Sequence, residues 1–223
     1  MPVTAIIPAA GSGTRMGAVK QYLELAGKPL LEWTLSAVAS SNMVDGIILV
    51  VSVDDVEKVS ARYLNNGSFP KITDVVAGGA TRGESVRNGV LAASTEYALI
   101  HDAARPFVSR QLIELTIAGA KLHGAASAAL PAHDTVKKKD GVFLGETFER
   151  SSLLLIQTPQ VFRRVDLLNA YDIPGEKHRE MTDETTLIQL VGGKVAWVLG
   201  ELANIKITTQ DDLRLANIIA KFA

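Results

Sequence analysis

Short runs of aliphatic and β-branched residues alternate along this chain with segments in which apolar residues recur every three or four positions. The short runs predict strands at residues 3–9, 47–51, 72–77, 97–101, 125–130 and 195–199. The helical periodicity predicts helices that begin near Pro29, Asp54, Arg82, Ser109, Asp183 and Thr209. This alternation is typical of α/β proteins, in which helices connect the parallel strands of one sheet.

The alternation stops after Pro131. Residues 132–157 alternate polar and apolar side chains around Lys137, Lys138 and Lys139, and the Asp-Gly pair that follows them is a hairpin-turn signal. These residues therefore predict a β-arm that projects from the sheet, with the lysines solvated at its tip. Because no linker or internal repeat interrupts the chain, we expect one domain with this arm as an insertion.

Composition and charge exclude several classes of function. The chain has no cysteine and only four histidines, which excludes thiolate metal sites and Cys nucleophiles. Its 23 basic and 24 acidic residues leave a formal charge of −1, so there is no electrostatic footprint for nucleic acid. No apolar run approaches the roughly 18 residues of a membrane span, and the N-terminal residues lack a basic targeting region. We expect a cytoplasmic protein that binds neither nucleic acid nor membrane.

A glycine-rich turn directly follows the first strand. Gly11 and Gly13 allow a ligand to approach the backbone, whose amides suit phosphate oxygens. The dinucleotide-binding pattern fails because Met16 replaces its third glycine, and the ending of a Walker A loop is missing. Arg15 and Lys20 could bind phosphate through a guanidinium fork and a mobile point charge. An ordinary strand-to-helix turn with two solvated cations is the alternative.

A second signal is an apolar strand that ends in Asp102, which places a carboxylate at the sheet edge where open α/β proteins bind ligands. A single carboxylate there suits Mg²⁺, which takes its other ligands from substrate phosphates and water. A helix or turn cap is the alternative for Asp102. His101 beside it is interpreted as a packed, hydrogen-bonded residue.

Two weaker signals lie at other strand ends. Gly78 and Gly79 form another glycine-rich turn, with Ser85 in the helix that follows. Lys206 stands alone in an apolar segment, residues 204–208, which predicts a short strand; such a lysine usually reaches out to solvent.

Taken in order, these motifs resemble the family of 2-C-methyl-D-erythritol 4-phosphate cytidylyltransferases over essentially the whole chain. The His-Asp-Ala-Ala-Arg-Pro segment at residues 101–106 is the most specific of them. The chain departs from the family at Val19, where proline is usual, and at Ala80, where an acidic residue is common. The matching segments are 11–16, 20–23, 78–79 with Arg82 and Ser85, 101–106, 158–160, 182–184 and 204–206.

The resemblance implies a Rossmann-like three-layer sandwich with a mostly parallel twisted sheet and a projecting β-arm. It implies transfer of CMP from CTP to a polyol phosphate, with Asp102 helping to hold Mg²⁺ or another divalent cation. The residues implied to act in catalysis are Arg15, Lys20, Arg150 and Lys206. Those implied to bind the nucleotide are Pro8, Ala9, Ala10, Gly11, Gly13, Gly78, Gly79, Arg82 and Ser85. Those implied to bind the acceptor are Asp102, Ala103, Arg105, Thr135, Thr158 and Thr182.

The resemblance also implies a homodimer in which two arms clasp and each sends Thr135 and Arg150 into its neighbour's site. Three alternatives stay open. A ribitol-5-phosphate cytidylyltransferase shares the chemistry but commonly has valine in place of Ala104. A sugar-1-phosphate nucleotidyltransferase for another base fits the arm and the Asp102 segment poorly, and a nucleotide-binding regulator without turnover would not need Arg15, Lys20 and Lys206 together.

Overall fold

A computed structural model describes residues 1–11, 22–173 and 183–222 of the protein. The strands are β1 (Val3–Pro8), β2 (Glu24–Leu25), β3 (Lys28–Pro29), β4 (Gly46–Val51), β5 (Ile72–Ala77), β6 (Tyr97–Ile100), β7 (Ala125–Pro131), β8 (Lys137–Asp140), β9 (Phe143–Thr147), β10 (Leu154–Arg163) and β11 (Ala196–Leu199). The helices are α1 (Leu30–Ala39), α2 (Val56–Val59), α3 (Arg82–Ala92), α4 (Arg110–His123), α5 (Arg164–Tyr171), α6 (Glu184–Leu190) and α7 (Gln210–Ile219). Short 3-10 turns precede α2 and β10, and a π-helical turn follows α2.

Seven of these strands form one sheet in the order β11-β7-β10-β6-β1-β4-β5. All neighbours in it are parallel except β10, which runs antiparallel to both β6 and β7. Strands β4 and β6 are buried along their whole length because helices cover both faces, and this burial explains their uninterrupted apolar sequences. The sequence-based prediction of a mostly parallel α/β sheet is confirmed.

Alternate residues of the strands enter two separate cores. On β1, Ala5 and Ile7 join a core covered by α1 and α4, whereas Ile6 joins a core covered by α3, α5 and α6. Helix α3 lies especially close to the sheet at Gly89, where an added Cβ would lie 2.8 Å from Val50 Cγ2. The sheet with helices on both faces makes three layers, as the resemblance implied.

Helices α3, α4, α6 and α7 begin at side-chain caps, and in α6 the carboxylate of Asp183 accepts the amide of Thr186. The hydroxyls of Thr81 and Thr209 form capping boxes with Glu84 and Asp212, and Ser109 accepts the amide of the third residue of α4. The predicted starts of the helices at Ser109 and Thr209 are confirmed. Within the described residues, no helix is long and apolar enough to cross a membrane.

The arm is the β8–β9 hairpin, which turns at Gly141 with a φ of +57°. Leu154 already pairs with Pro131 of β7, so the last residues of the predicted segment 132–157 are part of the main sheet. The prediction of a strand at residues 204–208 is wrong: this segment is irregular, and side-chain hydrogen bonds hold it. The sequence pattern did not indicate the β2–β3 hairpin, helix α5 or the second half of β10.

Candidate functional site

Three loops meet at the carboxyl edge of the parallel strands. They follow β1, β5 and β6, which are close together in the sheet and point the same way. The sheet's hydrogen bonding continues into each loop: the amides of Ala9, Gly78 and His101 donate to strand carbonyls at 2.7, 2.7 and 3.1 Å. These bonds anchor the beginning of each loop to the sheet. The loop after β1, which contains the predicted nucleotide-binding residues Pro8, Ala9, Ala10 and Gly11, therefore lies beside the turn at residues 78–85.

The loops after β1 and β5 touch each other at Gly78. A Cβ added to Gly78 would lie 2.6 Å from the Cβ of Ala10 and 2.8 Å from the hydroxyl of Ser85, so only glycine fits between them. The Ser85 hydroxyl donates to the Thr81 carbonyl at 2.9 Å and accepts the Gly79 amide at 3.1 Å. The structure thus brings Ala10, Gly78, Gly79 and Ser85 together, and Ser85 fixes the turn itself.

Asp102 lies at the centre of a cluster of ion pairs. Its Oδ1 accepts from Nη2 of Arg82 at 3.1 Å, and its Oδ2 lies 2.7 Å from Nζ of Lys206. Nε of Arg105 is 4.0 Å from the same Oδ2. Three of the predicted site cations therefore surround one carboxylate, although residues 82, 105 and 206 are far apart in sequence.

The charges in the cluster shift one another's pKa. Burial would raise the pKa of Asp102, but Arg82, Lys206 and Arg105 outweigh burial and hold that pKa well below the usual range. Burial alone would lower the pKa of Arg82, and the two carboxylates beside it raise it instead. Burial lowers the pKa of Arg105 from its ordinary value. Asp102 is consequently a carboxylate at neutral pH.

The second carboxylate beside Arg82 belongs to Glu184, to which the sequence analysis gave no role. Nη1 of Arg82 donates to both oxygens of Glu184, at 2.8 and 3.0 Å. The hydroxyl of Tyr171 donates to Oε1 at 3.2 Å. Burial raises the pKa of Glu184, and Arg82 offsets part of that rise. The sequence contains one signal, since Glu184 ends a segment that matches the family, but its pairing with Arg82 spans 102 positions.

A chain of buried hydrogen bonds through His101 and Thr158 holds the segment that contains Asp102. Nε2 of His101 carries a proton, because it donates to the carbonyl of Arg105 at 3.0 Å and a carbonyl can only accept. Nδ1 accepts from the hydroxyl of Thr158 at 3.0 Å, and that hydroxyl accepts the Asp102 amide at 3.1 Å. Burial lowers the pKa of His101 to about 4, so the ring is neutral at pH 7. His101 is a packed, hydrogen-bonded residue, as the sequence indicated.

Asn204 holds the segment that carries Lys206 against Thr158 and Arg105. Its Nδ2 donates to the Thr158 carbonyl at 2.8 Å, and its own carbonyl accepts from Nη1 of Arg105 at 2.7 Å. The amide of Ile207 donates to the Ala104 carbonyl at 2.9 Å. These bonds, rather than a strand, place Lys206 beside Asp102.

The remaining predicted residues lie in the arm region, next to Asp102 in the sequence, or outside the described residues. Arg150 and Thr135 are exposed in the arm region, and Nη1 of Arg150 donates to the carbonyl of His133 at 2.7 Å. Ala103 is buried next to Asp102, and its carbonyl accepts from the hydroxyl of Thr34 at 2.9 Å. The positions outside the described residues are Gly13, Arg15, Lys20 and Thr182.

The cluster does not resemble a metal site made by the protein alone. Across residues 1–11, 22–173 and 183–222, no group of three or more His, Asp or Glu side chains could hold a metal ion. Both oxygens of Asp102 already contact cations. The carboxylate predicted to hold Mg²⁺ is therefore engaged by Arg82 and Lys206 as the structure describes it.

Comparison with known proteins first gives the class, an α/β nucleotidyltransferase. The 4-diphosphocytidyl-2C-methyl-D-erythritol synthase of Anaerococcus prevotii superimposes with a TM-score of 0.81 at 34% identity, covering 99% of this chain and 96% of that one. The 2-C-methyl-D-erythritol 4-phosphate cytidylyltransferase of Thermus thermophilus gives 0.80 at 32% identity, covering 97% and 98%. The first name gives a diphosphocytidyl-methylerythritol compound as the product, and the second names a cytidylyltransferase.

The sequence comparisons then give the particular family. A protein of Geobacter metallireducens named 2-C-methyl-D-erythritol 4-phosphate cytidylyltransferase is 40% identical over 228 residues, which cover 99% of this chain and 98% of the relative. The family model for IspD, 2-C-methyl-D-erythritol 4-phosphate cytidylyltransferase, matches residues 3–221. The chain belongs to this family of enzymes, and the resemblance drawn from its motifs is confirmed.

Proposed function

We propose that this protein transfers CMP from CTP to 2-C-methyl-D-erythritol 4-phosphate, giving 4-diphosphocytidyl-2-C-methyl-D-erythritol and pyrophosphate. The family assignment supports this reaction. The single structural observation that carries it is the Asp102 cluster, in which Arg82, Arg105 and Lys206 converge at the edge where the loops after β1 and β5 end.

The charge of the cluster suits the chemistry. Three cations face two carboxyl groups, Asp102 and Glu184, so at least one positive charge remains to meet a phosphate. The nucleophile is a phosphate oxygen that is already ionised at neutral pH and needs no general base. The neutral, fully buried His101 fits a positioning role. The remaining task is to bring two polyanions together, so catalysis rests on positioning and charge neutralisation.

We propose the following roles for the predicted residues. The amides of residues 9–13 hold the triphosphate, Arg15 and Lys20 stabilise charge that develops at the α-phosphorus, and Arg82 lies on the nucleotide side. Gly78, Gly79 and Ser85 form the pocket for cytosine. Thr158 acts by fixing the Asp102 amide, since its hydroxyl is already shared between that amide and His101. The acceptor site consists of Asp102, Ala103, Arg105, Thr158, Thr182 and Lys206, with Thr135 and Arg150 from the arm.

We propose that the reaction requires Mg²⁺ or another divalent cation, which neutralises triphosphate charge when it is bound. Since both oxygens of Asp102 pair with cations, the described residues do not fit a metal held by protein carboxylates alone. Mg²⁺ commonly takes most of its ligands from substrate phosphates and water. Asp102 could add a ligand only after Lys206 or Arg82 turns to a phosphate. We propose that the reaction takes place in the cytoplasm, as expected from the sequence.

The arm supports a homodimer as part of this proposal. A two-stranded hairpin is at best marginally stable alone, and the arm exposes Val142, Phe143 and Leu144 at 92, 75 and 80%. A two-fold-related copy is the commonest partner for such a surface. Arg150 and Thr135 lie in the same exposed region, and within the described residues their side chains take no part in the Asp102 cluster. We propose that they complete the neighbour's acceptor site.

Two inactive variants test the shared site. Lys20→Ala and Arg150→Ala, refolded together in equal amounts, form mixed dimers in which one site has both lesions and the other has neither. Random pairing should restore about a quarter of wild-type sites. Heterodimers that form and stay inactive would place Arg150 in its own chain's site.

Pyrophosphate release from CTP tests the proposed function itself. The purified protein is assayed with 2-C-methyl-D-erythritol 4-phosphate, with ribitol 5-phosphate and with a sugar 1-phosphate, in separate reactions with Mg²⁺. We expect the methylerythritol phosphate to give the highest kcat/KM. A preference for ribitol 5-phosphate would identify the alternative cytidylyltransferase. If the protein bound CTP but released no pyrophosphate with any of the acceptors, the alternative of a nucleotide-binding regulator without turnover would be supported.

A further inference from the structure

We infer that Glu184 is a positioning residue for the acceptor side of the site, acting through Arg82 on Asp102 and thereby on Lys206. The inference rests on the proposed function for its substrate. Glu184 lies outside the predicted site residues.

In the described part of the chain, the carboxylate of Glu184 faces one cation, Arg82. Its side chain is 2% exposed, and it lies in the first turn of α6 facing the guanidinium of Arg82. Both carboxylate oxygens accept from the same nitrogen of Arg82, and Oε1 also accepts from the hydroxyl of Tyr171. An ionised carboxylate in such a position costs desolvation energy, which only a fixed cation and good hydrogen bonds offset.

Arg82 consequently binds a carboxylate on each of two sides of its guanidinium. Nη1 faces Glu184, while Nε and Nη2 lie 3.3 and 3.1 Å from Oδ1 of Asp102. A guanidinium has its donors in a rigid planar fork, so fixing one side fixes the direction of the other. With Glu184 in place, Arg82 takes only Oδ1 of Asp102 and leaves Oδ2 to Lys206.

Of the three cations around Asp102, Lys206 is the most exposed and can turn toward substrate. Its side chain is 41% exposed, compared with 26% for Arg82 and 11% for Arg105. Without the charge on Glu184, Arg82 would turn its fork fully onto Asp102 and compete with Lys206 for both oxygens. The acceptor phosphate would then meet a displaced lysine, whereas the loops that hold CTP would be unchanged.

The kinetic test uses Glu184→Gln, which keeps the size and one acceptor oxygen but removes the charge. We expect the KM for the acceptor phosphate to rise about tenfold, and the KM for CTP to rise clearly less, because Arg82 also lies on the nucleotide side of the site. Asp172→Asn is the matched control, since Asp172 forms an exposed ion pair with Arg87 of the same helix as Arg82. An exposed pair contributes little, so the control should retain wild-type kinetics. A fall in kcat with both KM values unchanged would indicate a merely structural role and overturn the inference.

A second variant separates action through Arg82 from direct action. In an Arg82→Met background Glu184 has no guanidinium to hold, so adding Glu184→Gln should change the acceptor KM no further. If the two effects multiplied instead, Glu184 would act by another route and the inference would fail. Thermal unfolding of each variant confirms that folded proteins are being compared.

A readout independent of turnover keeps the inference distinct from the proposed function. Lys206 is labelled with limiting acetic anhydride and quantified by mass spectrometry, relative to the exposed Lys138 of the arm. Pairing with Asp102 protects the lysine amine, so Glu184→Gln should increase labelling of Lys206 several-fold and Asp172→Asn should not. Unchanged labelling would refute the positioning role even if the wild-type enzyme is fully active. Conversely, wild-type protein that turns over no acceptor, but gives the expected labelling, would overturn only the proposed reaction.

Discussion

Gly78→Ala should damage the enzyme because Gly78 is the point at which two substrate loops touch. The added Cβ would lie 2.6 Å from the Cβ of Ala10 and 2.8 Å from the hydroxyl of Ser85. Two carbon atoms prefer a separation of about 3.5–4.0 Å, so the first contact is too short by about 1 Å. Ala10 Cβ has no rotamer through which it could move away. The loops after β1 and β5 must therefore separate.

The separation of the two loops determines how much stability and activity the variant should lose. Forcing a methyl group into a packed region costs about 1–3 kcal/mol of unfolding free energy. A displacement of about 1 Å in a positioning element can lower the rate about 10²-fold. We expect Gly78→Ala to fold, to unfold at a lower temperature, and to show a kcat/KM for CTP reduced by one to two orders of magnitude.

The assay is steady-state pyrophosphate release with CTP varied at saturating acceptor, alongside thermal unfolding. Gly89→Ala is the matched control, because its added Cβ would clash with Ile6 and lie 2.8 Å from Val50 Cγ2, in the core rather than at the site. That control should lose stability and keep the wild-type KM for CTP. If Gly78→Ala also kept wild-type kcat and KM, the contact between the two loops would not shape the nucleotide site.

Three further outcomes are expected. Hydrogen bonds from Thr208 and Thr209 lower the pKa of Asp212 to about 2, so the stability that Asp212 provides is present above its usual pKa and is lost as pH falls through about 2. Asp212→Asn should therefore be less stable at pH 7 by about 1 kcal/mol, with the difference from wild type shrinking below about pH 4 in denaturant titrations; a constant difference would contradict this. Chelation of divalent cations should abolish pyrophosphate release and added Mg²⁺ should restore it, whereas full activity in excess chelator would rule out the metal requirement. CTP should be strongly preferred to ATP and GTP, with UTP the closest competitor, because small residues at 78 and 79 leave room for a pyrimidine and hydrogen bonding separates the two pyrimidines; equal turnover of GTP would refute the pocket.

Most strands and helices could be predicted because their periodicity is local. β10 could not be predicted in full, because Pro159 interrupts its apolar sequence and a proline usually argues against an interior strand. The structure accommodates it where the register of β10 shifts between Ile156 and Gln160. Residues 204–208 have the composition of a strand, but the Asn204 side chain donates to the Thr158 carbonyl of β10 and the Asn204 carbonyl accepts from Arg105, in place of regular backbone pairing.

The site was predictable where it depends on strand ends and unpredictable where it depends on pairing. A carboxylate after one parallel strand and glycines after another must reach the same edge, so Asp102 and Gly78 could be grouped from sequence. Nothing in a single sequence indicates that Arg82 lies between Asp102 and Glu184, since that contact depends on how α3 and α6 pack. The same limit applies to the neutral state of His101, which depends on its burial.

Phosphorus-31 NMR of the complete reaction tests directly whether the protein transfers CMP from CTP to the acceptor phosphate. The protein is mixed with CTP, 2-C-methyl-D-erythritol 4-phosphate and Mg²⁺, and the phosphorus signals are followed until CTP is consumed. We expect a pair of mutually coupled diphosphate signals from the product and an equimolar pyrophosphate signal, with loss of the acceptor's monophosphate signal. Formation of CDP or inorganic phosphate with the acceptor signal unchanged would contradict cytidylyl transfer.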